Sequence, residues 1–323
     1  MTDLRAYSGH GLVVASDMQL NLREIGGTAL PDVTIESGDI RSVPRMNPDA
    51  DVLLERVWPE DGGFQALERG AEGLRLVLSD IAELTGDQEF RRIVAHPADE
   101  TKRELLPVIA EGIVLSLHLY LAGHPVLHAS AVDVGGQALA FVGASGMGKS
   151  TMATILAMAG AKLVTDDVLR IHLGDVVEVF PGATGTRLRQ GARQLLGGAG
   201  SVPVRKTADD RTMALLSRSE AEILPLSAIA IPTPDRTSSR VTARRLTGVE
   251  ALKTLLSYPR MIGWLDKDVL SEQFQVSAEL VRRTPIWDVS IPWGPPFDQN
   301  LAEELCRVID VEFSAQSSKG VRG

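Results

Sequence analysis

The segment "GASGMGKS" at residues 143–150 constrains this chain most, because it satisfies the template of a phosphate-binding loop. An apolar, strand-like run, "QALAFVG", leads into it, and a helical run of small and apolar residues, "TMATILAMA", follows it. Glycines let successive backbone N–H groups point at phosphate oxygens, and the N-terminus of the helix adds partial positive charge. The sequence therefore predicts an α/β fold whose phosphate site lies where this strand ends.

The template also assigns roles to two side chains of the loop. In such loops the lysine reaches the outer phosphates and the following hydroxyl ligates Mg²⁺, and Lys149 and Ser150 hold these positions. The residues expected to bind the nucleotide are Gly143, Ala144, Ser145, Gly146, Met147, Gly148, Lys149, Ser150 and Thr151.

Two adjacent carboxylates, Asp166 and Asp167, end the next predicted strand, "AKLVTDD". Sheets of the α/β class place ligand-contacting residues at the carboxyl ends of their strands. A lone Asp-Asp at such a point is more often a solvated turn or a helix cap, but its spacing from the loop favours a functional pair. Because neighbouring strand residues point to opposite sides, one carboxylate is expected to face a metal and the other a phosphate acceptor.

His128 lies on the predicted strand "VLHASAVDV", before the loop. A histidine on an apolar strand is more often a hydrogen-bonded structural group than a catalytic one. However, Gly135 and Gly136 suit a tight turn, so this strand is expected to pair with the strand that feeds the loop. That pairing makes His128 a catalytic candidate beside the aspartates.

The pattern of the chain changes after its first hundred or so residues and predicts two domains. Short β-prone runs separated by turn signals predict a small β-rich, α+β domain over residues 1–98. Leucine and isoleucine recur at four-residue spacing over 105–121, which predicts a buried helix leading into a phosphate-loop domain at 99–313. Residues 182–210 are expected to form a loop, and residues 314–323 a disordered tail.

The net charge limits the classes of partner to be expected, and the single cysteine and the N-terminus bear on the compartment. A formal charge of −9 gives no general attraction to nucleic acid or to an anionic membrane, so a small phosphate ligand is favoured over a nucleic-acid backbone. The one cysteine, Cys306, is expected to be a small core residue and fits a reducing compartment. The N-terminus lacks the pattern of a signal peptide, so a cytoplasmic location is expected.

The motifs together resemble the HPr kinase/phosphorylase family, whose phosphate loop is similar to that of phosphoenolpyruvate carboxykinase. More closely, "LHASAV", "GASGMGKST" and "LVTDD", within residues 127–189, resemble HPr-kinase-like proteins found with peptide-modification genes. These include kinases that phosphorylate the C-terminal serine of lasso-peptide precursors. The resemblance implies a kinase domain of the HPr kinase type, an ATP- and Mg²⁺-dependent transfer to a serine or similar hydroxyl on a peptide or small protein, and self-association.

The same resemblance implies roles within the site. Lys149 and the loop amides would bind ATP, Ser150 and Asp167 would hold Mg²⁺, Asp166 would act as base, and His128 would complete the site. The roles of the two aspartates could be exchanged. The chain departs from the family at Thr151, where HPr kinases usually have glutamate, and it lacks their downstream Glu-Arg-Gly signature. These departures count against HPr as acceptor and against reverse phosphorolysis, and they leave kinase chemistry intact.

Several basic residues follow the site in the glycine-rich region: Arg187, Arg189, Arg193, Arg205, Lys206 and Arg211. They are either solvated loop charges or a clamp for phosphate or an acidic acceptor. Arg187 is our candidate for the clamp because it is closest in sequence to the predicted strand that ends in the two aspartates. Arg282 with Arg283 is a second choice.

Two other functions use the same residues. A kinase of small-molecule alcohols would need the same site with a different acceptor. A nucleotide-binding regulatory protein without transfer chemistry would need the loop and one metal carboxylate, but not Asp166, Asp167 and His128 together. The full set therefore favours a kinase.

If residues 143–150 cradle phosphates, Lys149→Ala is expected to weaken the binding of Mg²⁺-ATP without unfolding the protein, because one cation that faces the outer phosphates is lost. Calorimetric titration and a melting curve measure the two effects. Unchanged nucleotide affinity would contradict the assignment of the loop.

Overall fold

A computed structural model of the chain describes residues 3–27, 29–47, 49–60, 62–188, 203–209, 211–294 and 296–313. Within these ranges the protein is a mixed α/β structure that contains several sheets. The predicted tail at 314–323 lies outside the described residues.

The first part of the chain forms a sheet of nine described strands. They are β1 (Arg5–Gly9), β2 (Leu12–Ser16), β3 (Arg23–Ile25), β4 (Val33–Ser37), β5 (Asp51–Val57), β6 (Phe64–Arg69), β7 (Leu74–Leu78), β8 (Ala82–Gly86) and β9 (Arg92–Pro97). Their order is β3-β1-β2-β4-β9-β8-β7-β6-β5. Only β2 with β4 and β4 with β9 pair in parallel among these strands, so most of the sheet is built from hairpins.

A nearly continuous helical segment covers this sheet. It consists of α1 (Glu100–Arg103), α2 (Leu106–Ile109), a π-helical stretch (Ala110–Val114) and α3 (Leu115–Leu121). Its apolar side chains share one hydrophobic core with the sheet. The predicted helical segment is present, but Leu105, Ile113 and Leu121 of its four-residue stripe are only partly buried. The π-helical stretch interrupts the regular α-helix. The two-domain division at residue 98 stays a prediction.

A second sheet carries the loop. Its strands are β10 (Val126–Leu127), β11 (Ala129–Val134), β12 (Gln137–Val142), β13 (Lys162–Thr165), β14 (Leu169–Leu173), β15 (Val177–Val179), β19 (Leu224–Asp235), β20 (Thr242–Leu246) and β21 (Ile286–Pro292). β12, β19 and β21 lie side by side in parallel, whereas β11 pairs antiparallel with both β12 and β13. The predicted hairpin of β11 and β12, turning at Gly135 and Gly136, is confirmed.

Helices cover both faces of this second sheet. On one face α4 (Lys149–Met158) and α7 (Leu301–Val308) pack against Leu139 and Phe141 of β12. On the other, α5 (Gly248–Leu256) and α6 (Lys267–Arg283) share a core with Ala138, Ala140 and Val142. A strand buried on both sides has no polar face, which explains why β12 reads as an unbroken apolar run.

The structure corrects one prediction. Part of the expected loop at 182–210 is sheet, because β16 (Gly185–Leu188) and β17 (Val204–Lys206) pair with β18 (Thr212–Leu215). Residues 189–202 and 210 of that segment lie outside the described residues.

Cys306 is confirmed as a buried core residue, and burial raises the pKa of its thiol to about 12. None of the described helices is long and apolar enough to span a bilayer.

Candidate active site

The glycine-rich loop joins the end of β12 to the start of α4. Gly148, the residue before the helix, has a φ of 91°, in the left-handed region that glycine adopts without strain. A Cβ at this position would also lie 2.3 Å from the ring of Trp293. Ala144, Ser145 and Gly146 of the loop are exposed, and α4 begins three residues later, at Lys149.

Lys149 lies buried beneath this loop and contacts His128. Its Nζ donates to the carbonyl oxygens of Gly143 and Ala144, at 2.8 and 3.1 Å, and to His128 Nε2 at 3.1 Å. Because the lysine ammonium can only donate, His128 Nε2 accepts and the ring carries its proton on Nδ1. Nδ1 in turn lies 3.0 Å from Asp167 Oδ1, so His128 links the loop lysine to a carboxylate.

The carboxylate of Asp166 is hydrogen-bonded by three neutral groups. Oδ1 accepts from the hydroxyls of Ser150, at 2.7 Å, and Ser130, at 2.6 Å, and Oδ2 accepts from the backbone N–H of Arg187 at 2.9 Å. The predicted metal pair was Ser150 with Asp167. Instead, the carboxylate beside Ser150 belongs to Asp166, because β13 ends at Thr165 and the next residue still faces α4.

Asp167 turns in another direction because its φ is 76°, an uncommon value for a residue other than glycine. Its Oδ2 lies 3.0 Å from Arg260 Nη2 and 3.3 Å from Arg187 Nη2. Burial acts to raise the pKa of Asp167, but the charge of Arg260, the His128 hydrogen bond and the charge of Arg187 outweigh it and hold the pKa well below its usual range. Asp167 is therefore ionised at neutral pH.

The π-helical stretch Ala110–Val114 lies directly against this charged group. A Cβ built on Gly112 would lie 3.0 Å from Arg260 Nη2 and 3.6 Å from Asp167 Oδ2. A side chain at this position would crowd the Arg260 guanidinium, so glycine lets the helix lie close to the ion pair. The helical segment over the first sheet thus forms one wall of the site.

All of these groups line one cavity of about 690 Å³. The loop, His128, Ser130 and both aspartates form one side, and Ile109, Ile113 and Tyr258 form an apolar part of the wall. Its cationic lining includes Arg56, Lys149, Arg187, Arg211 and Arg260. The arrangement can hold a polyphosphate next to an ionised carboxylate.

The predicted catalytic and loop residues line this cavity except for Met147, which packs against the core, and His128 differs in position. His128 was expected within a continuous strand, but it lies at a break between β10, which pairs with β14, and β11, which pairs with β12. Of the second-choice arginines, Arg283 donates to the carbonyl oxygens of Gly174 and Asp175 on the β14–β15 hairpin, away from the cavity. Arg189 and Arg193 lie outside the described residues.

The sequence reasoning missed Ser130 and Arg260. Ser130 follows His128 by two residues, a spacing that places alternate strand residues on one side. Arg260 belongs to "SYPR", the residues that directly follow α5. The proline in that segment signals the end of a helix, and α5 does end before it, at Leu256. Arg260 therefore lies on a loop that reaches the site.

No protein-family profile matches the chain, and no curated protein matches it in sequence. Among solved structures, the HPr(Ser) kinase/phosphatase from Coxiella burnetii is similar at 10% sequence identity. The match covers 57% of this chain and 93% of that one, with a TM-score of 0.29.

The lowered pKa of Asp167 predicts a pH-dependent difference in stability between the wild type and Asp167→Asn. A depressed folded-state pKa contributes stability that is present above the unfolded pKa, about 3.9, and is lost as the pH falls toward the folded value. The wild type is expected to lose free energy of unfolding relative to the variant below about pH 4. Urea denaturation of both proteins from neutral to acidic pH measures this; a constant difference would contradict the ion-pair assignment.

Proposed function

We propose that this protein is an ATP- and Mg²⁺-dependent kinase with a P-loop domain of the HPr kinase type, which transfers the γ-phosphate of ATP to a hydroxyl. The observation that carries the proposal is the environment of the two adjacent carboxylates. Asp166 is bound by hydroxyls and a backbone N–H, and Asp167 by two arginines and a histidine, within one cavity that the loop also lines. A protein that only binds nucleotide does not need a second carboxylate held by two arginines and a histidine.

The residues present suit Mg²⁺ with a nucleotide. Ser150 and Asp166 offer a hydroxyl and a carboxylate oxygen 2.7 Å apart, and oxygen ligands of this kind are those that Mg²⁺ prefers. The direct hydrogen-bond donors to Asp166 are neutral, so its charge stays available to a cation, whereas Asp167 already contacts two guanidinium groups. We therefore exchange the predicted roles and assign Asp166, with Ser150, to the metal. Bound Mg²⁺ would neutralise charge on the β- and γ-phosphates.

The remaining residues position the reactants. Lys149 exchanges contacts with loop carbonyls for contacts with the outer phosphates, and the loop amides hold the phosphate chain. Asp167 accepts a hydrogen bond from the acceptor hydroxyl, whose oxygen forms a bond to the γ-phosphorus as the bond to the β-phosphate oxygen breaks. The hydroxyl proton passes to Asp167 or to solvent.

A strongly basic Asp167 is not needed for this step. Phosphoryl transfer has a loose transition state, so positioning and charge stabilisation contribute most of the rate. Arg187 and Arg260 fix the carboxylate from one side and His128 from the other. The charges of the two arginines also face the phosphoryl group that moves between donor and acceptor.

The acceptor is proposed to be a serine or similar hydroxyl on a peptide or small protein. This part rests on the resemblance of the loop, histidine and aspartate motifs to HPr-kinase-like peptide kinases. The apolar wall formed by Ile109, Ile113 and Tyr258 gives residues that flank such a hydroxyl a surface to contact. A small-molecule alcohol would use the same catalytic groups.

Asparagine variants separate the two aspartates. Asp167→Asn is expected to lower turnover by about a hundredfold or more with little change in ATP affinity, because the acceptor loses its orienting carboxylate. Asp166→Asn is expected to raise the Mg²⁺ concentration needed for activity, because a metal ligand loses its charge. Steady-state kinetics across a Mg²⁺ series measure both effects.

Asp175→Asn is a matched control, since Asp175 is exposed on the β14–β15 hairpin. The assay supplies short serine-containing peptides and soluble alcohols separately and detects the added phosphate by mass. If an alcohol is phosphorylated and none of the peptides is, the acceptor is a small-molecule metabolite and not a peptide. Wild-type turnover in both site variants would refute the kinase proposal and leave a nucleotide-binding module.

A further inference from the structure

Trp293 packs directly on the phosphate loop. A Cβ added to Gly148 would lie 2.3 Å from Trp293 Cη2 and 2.7 Å from Cζ3, so the six-membered ring rests on the glycine that precedes the loop lysine. Phe297 contacts the same ring edge-to-face, with centroids 5.3 Å apart and planes at 85°. The indole is partly exposed. The chain has only 4 tryptophans, and this one is beside the catalytic loop.

Sheet topology explains how Trp293 arrives there. It is the first residue after β21, which lies parallel to β19, and β19 lies parallel to β12. Its backbone N–H donates to Asp235 O, at the end of β19, at 2.8 Å. The carboxyl ends of parallel strands meet at one edge of the sheet, where α/β proteins bind their ligands. The tryptophan and the loop therefore belong to one ligand-binding edge.

The ring also lies between two cavities. It lines the large cavity that contains the loop and aspartates, and it lines a second cavity of about 210 Å³. The second cavity adds apolar and polar groups: Phe297, Pro292, the hydroxyl-bearing Ser238 and Ser239, and the carboxylates Asp298 and Glu304. Aromatic rings with a few hydrogen-bonding groups are the usual lining of a site for a planar heterocycle.

We propose that Trp293 is the stacking platform for the nucleobase of the bound nucleotide. The polyphosphate lies on the loop side of Gly148, and the ribose carries the base past the glycine to the indole and into the second cavity. The proposal rests on the kinase function above and adds the element that distinguishes a nucleotide from other polyphosphates. Loop contacts alone would not make that distinction, because inorganic tripolyphosphate presents similar phosphate oxygens.

The test compares Mg²⁺-ATP with Mg²⁺-tripolyphosphate by calorimetry. Trp293→Leu keeps apolar volume against Gly148 but removes the aromatic face, and Trp293→Phe keeps an aromatic face. The leucine variant is expected to lose about tenfold in ATP affinity, the order that one base–aromatic stack contributes, and to bind tripolyphosphate like the wild type. The phenylalanine variant is expected to retain most of the ATP affinity.

Each alternative outcome has a distinct meaning. Equal losses for ATP and tripolyphosphate in the leucine variant would show that Trp293 only supports the loop, and unchanged ATP affinity would show that it does not contact the base; either overturns the inference. A wild-type protein that binds neither compound would refute the proposed function itself. If the leucine variant does not fold, the phenylalanine variant decides. A tenfold loss of its affinity for both ATP and tripolyphosphate would also overturn the stacking role.

Discussion

The carboxylate of Asp166 joins three parts of the chain that are distant in sequence. One oxygen accepts from hydroxyls on β11 and α4, and the other accepts from the backbone of β16. A buried carboxylate must be hydrogen-bonded, since an unpaired one would cost several kcal/mol. Satisfying Asp166 therefore fixes the first turn of α4, and with it the loop, relative to β11, which directly follows His128, and to β16, which carries Arg187.

The adjacent residues Asp166 and Asp167 have different electrostatic environments. The protein carries a formal charge of −9, yet the cavity gathers arginines from β16 and from the loop after α5 around Asp167. The turn in the backbone at Asp167, with its positive φ, separates the two carboxylates so that one contacts neutral donors and the other contacts cations. Strain of this kind persists where the surrounding contacts over-determine it, and it is common at functional sites.

The sequence predicted those parts of the site that depend on local pattern. The loop, the strand before it and the hairpin follow from glycine placement and apolar periodicity over a few residues. Arg260 could not be found in this way, because 93 positions separate it from Asp167. Long-range contacts bring its loop to the site, among them the bridge of Pro259 with Leu127. The break at His128 arises because β10 and β11 pair with different strands, and which aspartate lies beside Ser150 depends on where β13 ends. The neighbouring sequence indicates neither of these features.

The helical segment that covers the first sheet limits where the polypeptide can be divided. Leu115, Leu117 and Leu119 are fully buried in the core that this segment shares with the sheet. A recombinant fragment beginning at residue 99 would present those leucines to water, and a fragment ending at 98 would expose the apolar face of the sheet; both would be prone to aggregate. A soluble N-terminal fragment would have to extend through Leu121, the end of α3, and the remaining chain would then lack the wall that Gly112 contributes.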